Sequence, residues 1–242
     1  MIVINQKRIK IILSCILISL FVFTAKTYNK QNKNDGGENI QTTATPASGK
    51  TIIIDAGHGT PDEGAQSSSG TTEAQTNLKI ALKLQNLLEQ NGSKVILTRS
   101  DNNAIYDLDS KTLKQKKISD IKNRVKIGNE NSADIFVSIH LNKIPQSEYH
   151  GWQCFYNTKN EKSIELAKKI QENLNEAIQK ENARVAMKLN TVYIMKNIEI
   201  PISIVECGFL SNPEEEKKLL EDSYQDRLAW GIYNGILDYF YN

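Results

Sequence analysis

Short apolar runs punctuate the chain, and each is bounded by polar or glycine-rich segments. Thr51-Ile52-Ile53-Ile54 breaks into Asp55-Ala56-Gly57-His58-Gly59, Ile135-Phe136-Val137-Ser138-Ile139 ends on His140, and Ile202-Ser203-Ile204-Val205 ends on Glu206. Runs of this length, rich in β-branched residues, predict buried strands. Lys94 to Thr98, Gly151 to Tyr156 and Val192-Tyr193-Ile194-Met195 predict three more. Between them the spacing changes to three and four residues. Leu78, Ala81, Leu82, Leu84, Leu87 and Leu88 form one helical stripe, with Gly92 placed to cap it. Ile118, Ile121, Val125 and Ile127 mark a second helix ending near Gly128, and Ile164, Leu166, Ala167, Ile170, Leu174 and Ile178 a third. Leu228, Ala229, Ile232, Ile236 and Phe240 outline a terminal helix, while Ser100 to Lys117 is polar and irregular and predicts a loop. Strands alternating with helices predict an α/β fold: a single three-layer α/β/α domain on a mostly parallel, twisted sheet of about six strands. In such a sheet the strand ends line one edge, where ligands bind.

The first 49 residues do not fit this pattern. Lys7-Arg8-Ile9-Lys10 precedes a nearly unbroken apolar run from Ile11 to Ala25, so residues 1–25 read as a signal peptide or an uncleaved N-terminal membrane anchor, and the protein is expected to cross the cytoplasmic membrane. Residues 26–49, rich in Asn, Gln, Gly, Thr and Ser, are expected to be a disordered linker. Residues 50–242 are then the folded domain. With 242 residues and 39% hydrophobic content, the chain can bury one substantial core. The net charge is +2, but residues 1–48 hold six basic side chains against Asp35 and Glu38, which leaves −2 for the remainder. That balance speaks against nucleic acid as a partner. Cys15, Cys154 and Cys207 are too scattered for a disulfide framework or a Cys-x-x-Cys zinc site.

His58, Glu73 and His140 supply two imidazoles and a carboxylate, a donor set that suits one zinc ion with a coordination position left open. Their spacings of fifteen and sixty-seven residues require them to converge from separate elements. Glu206 is the candidate to take a proton from water and deliver it to a leaving nitrogen. Asp55 lies close enough to His58 to orient an imidazole. Each residue also has an ordinary reading. Either histidine could be a hydrogen-bonding loop residue, Glu73 could complement the first turn of a helix, and Glu206 could pair with Arg99 or Arg184. Cys207 with His140 or His58 would make a cysteine hydrolase, although alternation along the strand turns Cys207 away from Glu206. Trp152 could stack on a sugar ring or belong to the core.

Four blocks carry a resemblance: Ile54-Asp55-Ala56-Gly57-His58-Gly59, Thr71-Thr72-Glu73, Phe136-Val137-Ser138-Ile139-His140-Leu141-Asn142, and Val205 through Glu214. In this order they resemble the zinc-dependent N-acetylmuramoyl-L-alanine amidases of the amidase 3 family, over roughly Thr51 to Tyr239. The resemblance implies zinc on His58, Glu73 and His140, catalysis by Glu206, and peptidoglycan as the substrate, cut between N-acetylmuramic acid and L-alanine. Asn142 and Trp152 fall in matching segments and are expected near the metal or the substrate edge. Ala56 stands where proline is more usual and Ala74 where lysine is common, but no ligand is lost. Gly151 to Asn157 and Lys116 to Val125 are similar to the germination-specific branch of the family. That likeness implies action in the spore cortex, removing stem peptides ahead of muramic-δ-lactam formation. A vegetative autolysin, an inactive peptidoglycan-binding module, and control by a regulatory protein partner all remain open.

Overall fold

The computed structural model describes residues 44–178 and 184–241. The expected leader at 1–25 and residues 26–43 of the expected linker lie outside the described residues. Six strands form one sheet in the order β2-β1-β3-β6-β4-β5. They are β1 (Thr51–Ala56), β2 (Lys94–Leu97), β3 (Ile135–Asn142), β4 (Gln153–Tyr156), β5 (Met187–Lys188) and β6 (Ile202–Phe209). β2, β1, β3 and β6 run parallel, and β4 joins β6 antiparallel, so the sheet is mixed but mostly parallel.

The helices are α1 (Glu73–Gln90), α2 (Leu113–Glu130), α3 (Glu161–Ile178), α4 (Tyr193–Asn197), α5 (Pro213–Leu220) and α6 (Asp222–Tyr241). Strand alternation sorts the apolar side chains into two cores. Ile52, Ile54, Ile135, Val137, Ile139, Val205 and Cys207 pack with the apolar stripes of α1, α3 and α6 on one face. Ile53, Phe136, Ile202 and Ile204 pack with Ile194, Met195 and Ile198 at α4 and with Ile121 and Val125 of α2 on the other. The three expected layers are therefore present, and burial of some forty apolar side chains drives their assembly.

Four expectations need correction. Val192 to Met195 is not a strand: helix α4 covers Tyr193–Asn197, and the two-residue β5 takes the sixth place in the sheet. The i, i+1, i+4 spacing of Ile194, Met195 and Ile198 fits one helical turn laid on the sheet, and their burial there outweighs β propensity. The loop predicted to reach Lys117 ends at Thr112, where a capping box with Gln115 starts α2 early. α5 was not anticipated. Asn212 caps it, Pro213 opens it and three glutamates fill its first turn, a sequence signature that is plain once seen. Lastly, the linker is not disordered to residue 49. Ala47 is fully buried, Thr45 Oγ1 donates to Asn91 O at 3.0 Å, and Gly49 N donates to Gly92 O at 2.9 Å. Among the described residues no helix is long and apolar enough to cross a membrane.

Candidate active site

The site is assembled at the C-terminal ends of β1, β3 and β6. β1 stops at Ala56, and Gly57 N still donates to Ile139 O of β3 at 3.0 Å, so the turn leaves the sheet beside His140. A side chain at 57 has no room there: a Cβ would lie 2.3 Å from His140 Cε1. Gly64 plays the same part beneath the loop, where a Cβ would lie 2.5 Å from Glu73 Oε2 and φ is +69°. His58 itself has φ 63°, an unusual value for a residue with a Cβ. Arg124 Nη2 fixes that turn by donating to His58 O at 2.6 Å. Gly57→Ala should therefore displace the His140 ring and lower the affinity of the histidine–glutamate trio for a divalent ion by about 10–100-fold, the range seen when ligand support is disturbed. Competition against a chelator measures it, and an unchanged affinity would contradict the packing argument.

Glu73 opens α1 behind its N-cap, Thr72, so the helix dipole favours its charge. Oε1 lies 2.9 Å from His140 Nδ1 and 3.4 Å from His58 Nε2, and it accepts from Leu141 N at 3.1 Å. Oε2 accepts from Ala65 N at 2.8 Å. Although burial opposes ionisation, the bonds to both imidazoles hold the Glu73 carboxyl far below its ordinary range. The imidazole rings stand 5.1 Å apart at 78°, and one donor atom from each of His58, Glu73 and His140 falls within 4.8 Å of the others. Three separate elements thus bring these donors to one point. A mixed imidazole–carboxylate cluster of this size suits a single divalent ion, zinc in particular, with an open position.

His58 Nδ1 lies 3.1 Å from Asp62 Oδ2, so Asp62 sets the tautomer that turns Nε2 toward Glu73. Burial works against its charge, yet the bonds to Asp62 and Glu73 hold the His58 imidazolium up to about 9. Asp55, expected to orient an imidazole, does not reach one. It accepts instead from Arg124 Nη1 and Ser138 Oγ at 2.5 Å and from Thr98 Oγ1 at 2.7 Å. The correction has a geometric cause: Asp55 is still inside β1 and points between sheet and α2, whereas the turn after His58 brings Asp62 back to the ring. The i, i+4 spacing of His58 and Asp62 was the available signal.

Glu206 sits opposite His140 in the β3–β6 register, on the same sheet face, one strand over. It does not pair with Arg99, whose guanidinium donates to the carbonyls of Ala56, Gly57, Ala74 and Asp101. Its Oε2 is buried and accepts no hydrogen bond. Burial pushes the Glu206 carboxyl up to about 7. His58, His140 and Glu206 share a cavity of about 320 Å³, walled by Lys117, Asp120 and Arg124 on one side and Leu189, Val192 and Ile194 on the other. Cys207 faces away, fully buried in the α1/α3/α6 core, with its thiol pushed up by burial, so it cannot attack a substrate in this cavity. Cys154 and Cys207 are both free.

The weaker candidates separate. Trp152 is completely buried and donates from Nε1 to Asn175 Oδ1 at 2.7 Å, which makes it core and not substrate edge. Asn142 closes β3 through its backbone, its carbonyl accepting from Leu210 N at 2.8 Å beside a register shift after His140.

Comparison with known proteins bears on this geometry. The family model Amidase_3, described as N-acetylmuramoyl-L-alanine amidase, matches residues 52–238. The germination-specific N-acetylmuramoyl-L-alanine amidase of Bacillus subtilis is 37% identical over 195 residues, covering 81% of this chain and 81% of that protein. The structure of the CwlD amidase from Clostridioides difficile in complex with the GerS lipoprotein superposes with a TM-score of 0.76 at 45% identity, over 78% of this chain and 98% of that one. The catalytic domain of CwlV, an N-acetylmuramoyl-L-alanine amidase from Bacillus (Paenibacillus) polymyxa, gives 0.68 at 31%, over 78% and 97% of the two chains.

Proposed function

Since the chain belongs to the Amidase_3 family of N-acetylmuramoyl-L-alanine amidases, we propose that it cuts its peptidoglycan amide with one zinc ion on His58, Glu73 and His140 and with Glu206 as the proton carrier. The observation that carries this reading is the convergence of those three donors within 4.8 Å beside a carboxylate with an unbonded oxygen. Zinc held there would supply Lewis acidity, polarising the amide carbonyl and acidifying a water. The chain's own groups do the rest. Asp62 and Glu73 fix the two imidazoles, Gly57 and Gly64 leave room for close packing around them, and the Glu206 carboxylate accepts the water's proton and returns it to the leaving nitrogen of L-alanine. A carboxyl near 7 can serve in both directions at neutral pH.

Chelation should abolish hydrolysis of a muramoyl peptide and zinc should restore it; activity that survives complete removal of metal would refute the zinc assignment. Zinc must also displace the proton that His58 holds up to about 9. Below that pH the proton competes, so zinc affinity should climb by about tenfold per pH unit between 6.5 and 8.5. Titrations at several pH values measure this, and a flat profile would contradict it.

The likeness to a germination-specific enzyme and to CwlD supports a role in the spore cortex, removing stem peptides so that muramic-δ-lactam can form. Residues 1–25 fit this reading as an export signal or anchor, with residues from 50 onward as the catalytic domain. CwlD was solved with a lipoprotein, which supports a regulatory partner for this chain as well. Deletion in a spore former should give a cortex without the lactam, and the tagged protein should retain its partner when purified from sporulating cells.

A further inference from the structure

A second, smaller cavity of about 290 Å³, lined by Pro61, Ala104, Tyr106, Leu113, Lys114 and Lys116, shares Asp62, Lys117 and Asp120 with the catalytic one. Its shape comes from the 101–107 loop. Ala104 N donates to Thr60 O at 3.0 Å, and Ile105 N donates to Asp120 Oδ1 at 2.8 Å, so the loop bridges the His58 turn and the start of α2. Lysine dominates this wall. Lys114, Lys116 and Lys117 line it against Asp62 and Asp120, within a domain that is otherwise acidic in balance. Lys117 Nζ is 3.0 Å from Asp62 Oδ2, and Arg124 is consumed by Asp55 and Asp120. Among the described residues Lys116 meets Tyr106, its Nζ 3.2 Å from the hydroxyl and 4.6 Å from the ring centre. Among the described residues neither Lys114 nor Lys116 has a carboxylate partner. The catalytic cavity has an apolar lining as well, from Ile121, Leu189, Val192, Ile194 and Ile204.

We infer that the Tyr106–Lys114–Lys116 cavity is a subsite for a carboxylate of the acidic stem peptide, one or two residues beyond the bond being cut. This rests on the amidase reading. The glycan strand is neutral apart from its substituents, whereas the stem that follows L-alanine carries a glutamate whose carboxylate is either free or amidated. A cationic pocket that shares Asp62 and Lys117 with the cavity holding the metal donors matches the charged half of that substrate and not the sugar half. Lys116, held against the Tyr106 ring, loses less freedom on binding than an unsupported lysine would.

The test uses two soluble muramoyl peptides that differ only in whether the glutamate is free or amidated, with the full chain loaded with zinc. Lys114→Gln/Lys116→Gln should raise KM for the free acid by about tenfold, a few-fold per exposed charge pair. It should leave kcat unchanged and leave the amidated substrate unaffected, and the discrimination should fade at 1 M salt. Lys116→Arg should restore most of it. An equal KM change on both substrates, or none on either, would overturn the subsite. If the parent enzyme hydrolyses neither substrate, it is the amidase reading that has failed, and that outcome is visible before any variant is made.

Discussion

Glu206→Gln should lower turnover by about 10²–10⁴-fold while the protein keeps its full complement of zinc. Glutamine matches glutamate in volume and can still fill the space beside His140, so neither the β3–β6 register nor the three metal donors should move. What it cannot do is accept a proton from water. In the parent, Oε2 is buried without a hydrogen bond, an arrangement that costs folding energy and is retained where chemistry needs it. Burial also works against the Glu206 charge, which an amide lacks, so the same substitution should raise the stability of the metal-free protein at and above about pH 7. Single-turnover hydrolysis of a muramoyl peptide, metal content and thermal unfolding of one preparation decide the matter. A Glu206→Gln protein that turns over at the parent's rate would end the assignment of Glu206, whatever the metal does.

Arg124→Met should destabilise the domain by about 3–5 kcal/mol, the cost typical of removing one partner from a buried ion pair. Arg124 is buried on α2 and donates to Asp55, to both oxygens of Asp120, and to the carbonyls of Ala56 and His58. Without it Asp55, only 1% exposed, keeps the Ser138 and Thr98 bonds but loses its counter-charge. Burial works to raise the Asp55 pKa, and Arg124 foremost holds it below the ordinary value instead. In the parent that contribution is complete above about pH 4 and is lost as pH falls further. In the variant burial is opposed only by the Ser138 and Thr98 bonds and by His140, so the stability lost between about pH 4 and lower pH should be smaller than in the parent. For a domain of this size the loss corresponds to about 10 °C in melting temperature. Adding Asp55→Asn should recover part of it, because the stranded charge is gone. A drop below about 1 kcal/mol would mean that the network contributes little, and lysine at 124 should not substitute, since it lacks the fork that reaches two carboxylates and two carbonyls.

These two predictions also mark what could and could not be read from the chain alone. Period-two alternation in Ile202 to Cys207 places Glu206 and Cys207 on opposite faces, and the structure bears that out. The apolar stripes of α1, α3 and α6 gave one whole helical layer. Short apolar runs were the weak point. Val192 to Met195 is as compatible with one helical turn as with a strand, and only its packing against Phe136 and Ile204 decides. Long-range polar partners were invisible for a different reason. Arg124 lies 69 residues from Asp55, and nothing in a charged, amphipathic helix announces which of its basic residues will be buried. Asp62 escaped because Asp55 was the nearer of the two to His58 in sequence, three residues away against four, and only the left-handed turn at His58 reverses that order in space. Trp152 went to the core because its indole nitrogen found Asn175 inside the fold.

The docked segment ahead of β1 has one more effect. Thr45, Ala47 and Gly49 are fastened at the Asn91–Ser93 turn, where β1 and β2 begin, whereas His140 and Glu206 belong to the opposite rim. A six-residue strand separates the two rims by on the order of 20 Å. Residues 45–49 are therefore held at the rim away from the metal donors, and a long, stiff polysaccharide can lie across the catalytic rim without meeting them.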